Sequence, residues 1–410
     1  MFLTHSRTDE FDFWRLWFAG LVLFSVRFID TTTFAIYVYE REGSAFLVAI
    51  VTLLRIAPMA MFAAVIGGVM NRVHRHTALL FVLGGTLITS AILAGLAVTG
   101  NLQTWHLAVA SFVSGFGWAA DNPVRRTGMG ELVRPDRLGV AMAIDVGSNN
   151  SCRVAGPIVG GLLLATTGIQ GTFFVDATLA LAAIVAVSQI RYRSYVSTDS
   201  IREMLVRLGS GFKLGFTDAY LRAILILTLI NSLFAIPYTS MIPVIGADFL
   251  HLDSRGIGIL AGMEGIGAFA AIFAIALRIS PTRYGLVLIT GTAIFQIAAI
   301  LFGFVEQPIT AGLIVFLGGL GNAAVAIIQT TLVITYANAE MRSHMLGVLA
   351  TCNGLAVIGF IGIGWLAEAA GAKVAILVIA LLGAILLGAT LPLWWFLGRP
   401  LGLPDKSAKT

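Results

Sequence analysis

The chain has 410 residues, and its composition differs strongly from that of a soluble domain. Hydrophobic residues make up 58% of it and charged residues 11%, with a mean hydropathy of +0.92. Soluble domains contain about 45–50% apolar and about 25% charged residues. This composition excludes an ordinary soluble enzyme. The net charge of +5 does not indicate a nucleic-acid partner, because the basic residues fall in short loops between apolar runs.

Apolar runs long enough to cross a membrane follow one another along the whole chain. A spanning helix needs about 20 mostly apolar residues to cross about 30 Å of hydrocarbon. Breaks at charged residues, Gly and Pro predict twelve such helices. In chain order they are 13–39, 44–70, 77–99, 104–126, 139–166, 171–190, 219–248, 256–278, 284–304, 308–336, 343–369 and 372–397. The predicted fold is an all-α polytopic membrane protein with twelve transmembrane helices.

A polar segment and a weak internal similarity divide these helices into two pseudo-symmetric halves. Residues 191–218 form the longest polar stretch and carry apolar residues at helical spacing, which predicts a cytoplasmic linker with an amphipathic helix. RLGVAMA at 137–143 and MLGVLAT at 345–351 both enter a predicted helix, half a chain apart. We therefore predict two related six-helix halves, 1–190 and 219–410.

The distribution of Lys and Arg predicts the orientation in the membrane. With the N-terminus in the cytoplasm, twenty basic residues lie on the cytoplasmic side, and only Arg41, Arg255 and Lys373 lie on the other side. Cytoplasmic loops carry an excess of Lys and Arg. The prediction is a multi-pass protein of the cytoplasmic (inner) membrane with both termini in the cytoplasm.

No cofactor or metal site is predicted. The two cysteines, Cys152 and Cys352, lie inside apolar runs, where they are expected to be packing residues. The chain contains no G-x-x-x-x-G-K-[ST] motif that would bind a nucleotide to power a pump. The six His fall in loops or at the ends of predicted helices, which argues against a membrane-embedded enzyme.

The segment between the second and third predicted helices resembles a loop signature of the major facilitator superfamily. GGVMNRVHRH at 67–76 is similar to the pattern G-x-x-x-D-R-x-G-R-R, with matches at Gly67, Arg72 and Arg75. Asn71 stands where the superfamily usually has Asp. The resemblance implies that these residues help to control the change between conformations.

Further motifs resemble one branch of the superfamily. AGPIVGG at 155–161, with Gly156 and Pro157, looks like the core of the motif associated with its antiporters. VYEREGSA at 38–45 and NPVRRTGMGELV at 122–133 are similar to the exporters that include the enterobactin and macrolide efflux proteins. The likeness covers most of the first half and less of the second.

This resemblance implies a secondary transporter that acts as a monomer by alternating access. The expected function is proton-coupled export of an amphiphilic organic molecule, such as a siderophore-like metabolite or a drug. A lysophospholipid or divalent metal-ion transporter of the same fold is the alternative. Lipid transport would require a side opening between helices, and metal transport would require paired carboxylate, His or Cys ligands at one depth.

Ionisable residues inside the predicted helices are the main candidates for a transport site. A charged residue at a helix centre costs about 2.5–3.5 kcal/mol on insertion scales, so each needs a partner, a watery cavity or a function. Arg27 and Asp30 share a face of the first helix, and Arg55 on the second could reach the same carboxylate. We predict that this cluster binds an anionic group or carries a proton through Asp30. A static ion network is the alternative.

Two further sets of polar residues lie in the fourth and fifth helices. Asp145, Asn149 and Arg153 recur every four residues and predict a polar stripe that lines a central cavity or packs against another helix. Asp121 precedes Arg125 by four residues near the cytoplasmic end, which predicts a local salt bridge or a gate.

In the second half, Glu264 is a candidate proton carrier, and Asn231 and Gln329 are candidates to line the cavity. Asp176 lies near the end of a predicted helix and is expected only to reach towards the membrane surface. A cavity that is cationic on one side and apolar on the other would suit an amphiphilic anion. The predicted binding or coupling residues are Arg27, Asp30, Arg55, Asp145, Asn149, Arg153, Asn231, Glu264 and Gln329. The predicted gating residues are Gly67, Asn71, Arg72, Arg75, Asp121, Arg125, Gly156 and Pro157.

Overall fold

The computed structural model describes residues 7–70, 73–190, 217–336, 341–392 and 394. Regular structure in these ranges is helical. Most of the predicted linker, residues 191–216, lies outside the described residues, as do Asn71 and Arg72 of the loop signature.

The first six helices form what we call the N-half. They are α1 (Arg7–Glu42), α2 (Ala45–Met70), α3 (Arg75–Val98), α4 (Thr104–Leu132), α5 (138–167) and α6 (169–188). The last two belong to one helical segment, Leu138–Ser188, in which Gly168 has a φ of 69°. Glycine adopts positive φ without steric cost, so this residue allows the chain to turn between α5 and α6.

The last six helices form the C-half. They are α7 (Ala219–Asp248), α8 (Ser254–Arg278), α9 (Tyr284–Phe302), α10 (Pro308–Tyr336), α11 (His344–Ala370) and α12 (Ala372–Ala389). In α7, a π-helical turn at Asn231–Ala235 and a 3-10 turn at Ile236–Met241 interrupt the α-helical hydrogen bonding. Pro237 and Pro243 lack the amide N–H that regular helix would require there.

The helical segments confirm the predicted membrane fold. Ten segments of the described residues are long and apolar enough to cross a membrane. One of them, Pro135–Ser188, contains both α5 and α6, and α4 is a further helix of 29 residues that carries more polar side chains. The segments therefore agree with the twelve predicted helices.

The buried apolar side chains show that the molecule is closed at one end and divided at the other. We call the end at which α1 meets α2 the closed end, and the end at which α6 terminates the linker end. One apolar cluster at the closed end contains residues of both halves, such as Phe34, Phe173 and Tyr238. At the linker end each half has a cluster of its own, one around Leu16 and the other around Leu332.

Small residues allow the halves to pack closely along two helix pairs, α5–α8 and α2–α11. A Cβ added to Gly161 of α5 would overlap the carbonyl oxygen of Ser254 at the start of α8, and one added to Gly258 would lie 2.5 Å from the carbonyl oxygen of Pro157. Across the α2–α11 pair, a Cβ on Gly354 would lie 2.5 Å from Cβ of Ala60. Close approach at small residues is how helices associate in lipid.

Candidate functional site

A chain of ion pairs runs through the interior of the N-half towards the linker end. Arg27 Nη2 of α1 lies 3.2 Å from Asp121 Oδ1 of α4, and Arg125 Nε lies 3.8 Å from the second Asp121 oxygen. Arg125 also donates to Asp145 of α5, whose other oxygen accepts from Arg126 at 2.9 Å. The predicted Asp121–Arg125 pair is thus part of a longer network, and Arg125 is completely buried in it.

This network decides between the two predicted positions of Asp145. The periodicity left open whether the stripe of Asp145, Asn149 and Arg153 lines a cavity or packs against another helix, and Asp145 does the second. In the structure Asp145 is only 1% exposed, because Arg125 and Arg126 of α4 hold its carboxylate against the inside of the N-half. Asn149 is half-buried, and Arg153 contacts the other half of the molecule.

A second group of charges lies beside the first, nearer the closed end. The carboxyl groups of Asp30 on α1 and Asp176 on α6 are within hydrogen-bonding reach of each other. Arg55 of α2 interacts electrostatically with both, and its Nη1 donates to the Arg27 carbonyl oxygen at 2.8 Å. Neither oxygen of Asp176 receives a hydrogen bond from a donor group, and Asp30 Oδ1 also lacks a donor.

Asp176 is the residue that sequence reasoning missed. Its place near the end of a predicted helix indicated an interfacial side chain, but it is completely buried. The helix begins at residue 169, just after the Gly168 turn, so Asp176 lies about 10 Å inside it. Thr172, Asp176, Ala180 and Ala183 recur at helical spacing along α6, and all four are buried. This spacing of polar and small residues in the sequence could have placed Asp176 on the inner face of the helix.

The two groups together contain as many carboxylates as guanidinium groups. The predicted cluster of Arg27, Asp30 and Arg55 is therefore incomplete, because three further carboxylates from α4, α5 and α6 belong to the same network. The acidic members are Asp30, Asp121, Asp145 and Asp176, and the basic members are Arg27, Arg55, Arg125 and Arg126. These described residues therefore provide no surplus of positive charge to recognise an anion.

Arg27 and Asp30 lie on the face of α1 that points away from the C-half. The opposite face packs on α5, where Trp17 donates to Ser148 at 2.9 Å and Phe28 covers Gly156. Arg27 and Asp30 instead line a cleft within the N-half, bounded by α1, α3, α4 and Phe173 of α6. Both charged residues are more than nine-tenths buried.

The cleft has a volume of about 280 Å³ and mostly apolar walls. Aromatic rings form much of its surface, and hydroxyl groups of α3 and α4 provide its uncharged polar atoms. The rings belong to Phe34, Phe81, Phe116, Trp118 and Phe173, and the hydroxyls to Thr86, Thr89, Ser90 and Ser114. The guanidinium group of Arg27 lies over the Trp118 ring, 4.8 Å from its centroid.

A separate polar site joins the halves in the middle of the molecule. Arg153 Nη2 of α5 lies 2.5 Å from Glu264 Oε1 of α8, and Asn322 of α10 donates to the same oxygen at 3.2 Å. The two charged side chains are 23% and 18% exposed, in contrast with the buried N-half network. Both residues were predicted separately as binding or coupling residues, and the structure brings them together as a pair between the halves.

The remaining C-half candidates lie inside their own half. Gln329 Oε1 accepts from Thr228 at 2.7 Å and is buried. Asn231 is also buried, at the start of the π-helical turn of α7, and its Oδ1 has no donor. Neither side chain lines the cleft described above.

The predicted gating residues are divided between several contacts. Arg75 pairs with Glu131 of α4 at 2.8 Å. Gly67 lies in the last turns of α2. Gly156 allows α5 to approach Phe28 of α1, and the carbonyl oxygen of Pro157 contacts Gly258 of α8. The described signature residues Gly67 and Arg75 are thus located at the linker end, and the Gly-Pro motif lies where α5 packs on α1 and α8.

Hydrogen bonds between the halves also occur at the closed end. Tyr39 donates to Asp248, and Ser254 donates to Glu40 at 2.6 Å. Ser44 donates to Glu368 of α11 at 2.9 Å. These contacts tie the ends of α1 and α2 to α7, α8 and α11. Within the described ranges, no three side chains among His, Cys, Asp and Glu gather as a metal site would require.

Comparison with known proteins relates this architecture to transporters. The family model of the major facilitator superfamily matches residues 16–360. Macrolide efflux protein A of Streptococcus pyogenes is 22% identical over 275 residues, which are 64% of this chain and 66% of that protein, just under two thirds of its length. The tetracenomycin C resistance and export protein of Streptomyces glaucescens is 30% identical over 113 residues, 28% of this chain and 20% of that protein.

Solved structures share the fold at low sequence identity. A POT family transporter in complex with 5-aminolevulinic acid has a TM-score of 0.75 at 12% identity, covering 94% of this chain and 96% of that one. A nucleoside transporter has a TM-score of 0.73 at 14% identity, covering 93% and 99%. At such identities the likeness concerns the fold and not the substrate.

Proposed function

The chain belongs to the major facilitator superfamily, and we propose on that basis that it is a proton-coupled exporter of an amphiphilic organic molecule, such as a siderophore-like metabolite or a drug. Two of its relatives are an efflux protein and an export protein, which supports the outward direction. In this proposal the protein acts as a monomer in the cytoplasmic membrane, and the linker end faces the cytoplasm.

The observation that carries proton coupling is the contact between Asp30 and Asp176. Two carboxyl groups can hydrogen-bond to each other only when one of them holds a proton. Neither oxygen of Asp176 has another donor, and Arg55 is the single guanidinium group that acts on both acids. The pair therefore suits the uptake and release of one proton in the middle of the membrane.

Alternating access is supported by the arrangement of the halves. The closed end has a shared apolar cluster and several hydrogen bonds between halves, whereas the linker end has one apolar cluster in each half. In the proposed cycle the halves rock about the glycine-rich α5–α8 packing and the Arg153–Glu264 pair. Transporters with internal repeats commonly work by such rocking.

The charge of the substrate follows from the balance of the N-half network. The sequence favoured an anion because the intramembrane Arg residues seemed to outnumber the carboxylates. With four of each in the network, that reason no longer applies. We therefore do not include an anionic group in the proposed substrate.

The proposal is tested by transport in inside-out membrane vesicles. An acidic interior is generated, its pH is followed with a fluorescent amine, and macrolides, catecholate siderophores and lysophospholipids are added in turn. A substrate should release protons from vesicles with the wild-type protein, and Asp30→Asn and Asp176→Asn should abolish this release. Asp136→Asn is the control, because Asp136 is an exposed carboxylate outside the network. Proton release that survives both substitutions would reject this proton site.

One observation favours lysophospholipid transport as a second candidate. The cleft between α3 and α4 is the side opening between helices that lipid transport would require, and Phe81 at its rim is 78% exposed. The vesicle assay separates the candidates, because only this alternative predicts release with lysophospholipids and not with drugs or siderophores.

A further inference from the structure

We propose that the buried hydroxyl group of Tyr238 on α7 is a second partner of Glu264, to which it donates a hydrogen bond when the halves move and the carboxylate separates from Arg153. Tyr238 is in this view a positioning residue that satisfies Glu264 in the opposite arrangement of the halves. The inference rests on the proposed function, because it takes the halves to rock about the α5–α8 packing.

The hydroxyl group of Tyr238 is buried without a hydrogen-bond partner. The side chain is only 1% exposed, and no group among the described residues donates to its oxygen or accepts from it. A buried Tyr hydroxyl normally has such a partner, and an unpaired one requires an explanation. A partner that is reached in another arrangement of the chain provides one.

Packing fixes the Tyr238 ring and directs its hydroxyl group towards α10. Phe295 and Phe302 of α9 hold the ring, with centroids 5.7 and 5.5 Å from that of Tyr238. A Cβ added to Gly318 of α10 would overlap the hydroxyl oxygen, so this glycine leaves the space that the oxygen occupies. Tyr238 lies in the 3-10 turn Ile236–Met241, where α7 departs from regular α-helix.

The same turn of α10 also contacts Glu264. A Cβ added to Gly319 would overlap the backbone carbonyl oxygen of Glu264, and Asn322 donates to Glu264 Oε1 at 3.2 Å. Gly318, Gly319 and Asn322 span little more than one turn of the helix. Tyr238 and Glu264 therefore pack against one short stretch of α10.

Glu264 needs a second partner because Arg153, its present one, belongs to the other half. The two side chains pair at 2.5 Å, and the charges of both act on the nearby Tyr238 hydroxyl. If α5 and α8 shift apart here, the carboxylate keeps only the neutral donor Asn322. A charge in the middle of the membrane is costly without a strong partner. Rotation of the Glu264 side chain towards Tyr238 supplies another donor.

This exchange of partners gives Tyr238 and Arg153 opposite effects. A phenol hydroxyl donates to a carboxylate, and hydrogen bonds to charged groups are stronger than those between neutral groups. Arg153 stabilises the present arrangement of the halves, and Tyr238 stabilises the other one. Glu264 keeps its charge throughout, so that proton coupling stays with Asp30 and Asp176.

The first test measures the arrangement of the halves as a distance between two spin labels. The labels are attached at exposed linker-end positions, one in each half, at Asp136→Cys and Ser280→Cys. The native cysteines are replaced by Cys152→Ser and Cys352→Ser. The linker end is divided between the halves in the present arrangement, so the opposite arrangement gives the shorter distance.

The variants remove one partner of Glu264 at a time. Arg153→Ala should increase the population with the short distance. Adding Tyr238→Phe should lower that population about tenfold, because a hydrogen bond to a charged group is lost from the opposite arrangement alone. Tyr220→Phe is the matched control, since Tyr220 is also buried and its hydroxyl also has no partner among the described residues. It should leave the population unchanged.

Removal of the acceptor distinguishes a partner of Glu264 from a residue that only packs. With Glu264→Ala present, Tyr238→Phe should no longer change the distances, whereas a loss of packing would change them with or without the carboxylate. Thermal unfolding checks that each variant is folded. If Glu264→Ala is not, the next measurement decides, because it keeps Glu264.

The second test reports on the hydroxyl group itself. 3-Fluorotyrosine is incorporated in place of Tyr238, and its fluorine NMR resonance is recorded with and without Arg153→Ala. The fluorine is adjacent to the phenol oxygen, so a new hydrogen bond to Glu264 should shift the resonance in Arg153→Ala. The same label in place of Tyr220 should show no shift. An unshifted resonance at 238, an equal shift at both positions, or an effect of Tyr238→Phe that persists in Glu264→Ala would overturn the inference.

These outcomes are separable from those of the proposed function. Proton release in the vesicle assay together with an unshifted resonance at 238 would reject the role of Tyr238 and leave proton-coupled export in place. A shift at 238 that depends on Arg153, without proton release by any substrate, would support the exchange of partners and reject the proposed export.

Discussion

Arg153 of α5 and Glu264 of α8 form an ion pair of 2.5 Å that joins the two halves at the middle of the molecule. It is the one described ion pair between them, and it lies beside the glycine contacts on which the halves would move. Both side chains retain contact with open space. Such a pair can stabilise one arrangement of the halves and can break when the halves move.

Glu264→Gln should change the arrangement of the halves with little loss of stability. Partly exposed ion pairs contribute only about 1 kcal/mol or less, so the unfolding temperature should move slightly. The arrangement is measured as the distance between spin labels at Asp136→Cys and Ser280→Cys, two exposed linker-end positions in different halves. We expect this distance to shorten. The exchange Arg153→Glu with Glu264→Arg should restore it, and an unchanged distance in Glu264→Gln would contradict a holding role.

Asp145→Asn should be strongly destabilising. Asp145 is the main partner of Arg125, which is 0% exposed and would remain charged in an apolar interior. Breaking a buried ion pair by removing one partner costs about 3–5 kcal/mol. Thermal unfolding in detergent should show a large decrease for Asp145→Asn and almost none for the exposed Asp136→Asn. A similar small change in both would mean that the network contributes little to stability.

Gly161→Val should separate the halves at the closed end. The added side chain would overlap the Ser254 carbonyl oxygen at the start of α8, and a backbone atom cannot give way as a flexible side chain can. We expect a cysteine placed at Ala45, buried at the closed end of α2, to be alkylated faster in this variant. Gly139→Val, at a position with open space around it, is the matched control. Equal alkylation rates would show that α5 and α8 adapt without moving the halves.

The orientation can be checked by labelling intact cells with a membrane-impermeant maleimide. Asn101→Cys lies at the turn between α3 and α4 at the closed end, and Asp136→Cys lies between α4 and α5 at the linker end. The bias of Lys and Arg predicts that only position 101 is labelled. The reverse pattern would place the linker end outside and would reverse the proposed direction of transport.

The fold could be predicted closely from the sequence, and the site only in part. A membrane-spanning helix requires about 20 mostly apolar residues. The sequence therefore predicted separate helices on the two sides of Gly168, as the structure shows for α5 and α6. Helical spacing also indicated that Asp121 and Arg125 meet. It could not show that Asp145 turns towards α4, because which side of a helix faces which neighbour depends on packing between segments. Asp176 was missed for another reason, because its place near the start of the sixth predicted helix indicated an interfacial side chain.

The distribution of charges among helices has a consequence for how the N-half is made. In the described helices α1, α4 and α5, each buried charge has an opposite charge on its own helix, whereas Arg55 is the sole charge of α2 and Asp176 the sole charge of α6. A lone charge at a helix centre costs about 2.5–3.5 kcal/mol on insertion scales. During synthesis Asp30 of α1 is already present when α2 enters the membrane, but Asp176, the second carboxylate beside Arg55, is made about 120 residues later. Completion of α6 therefore adds the last of the four carboxylates in the N-half network.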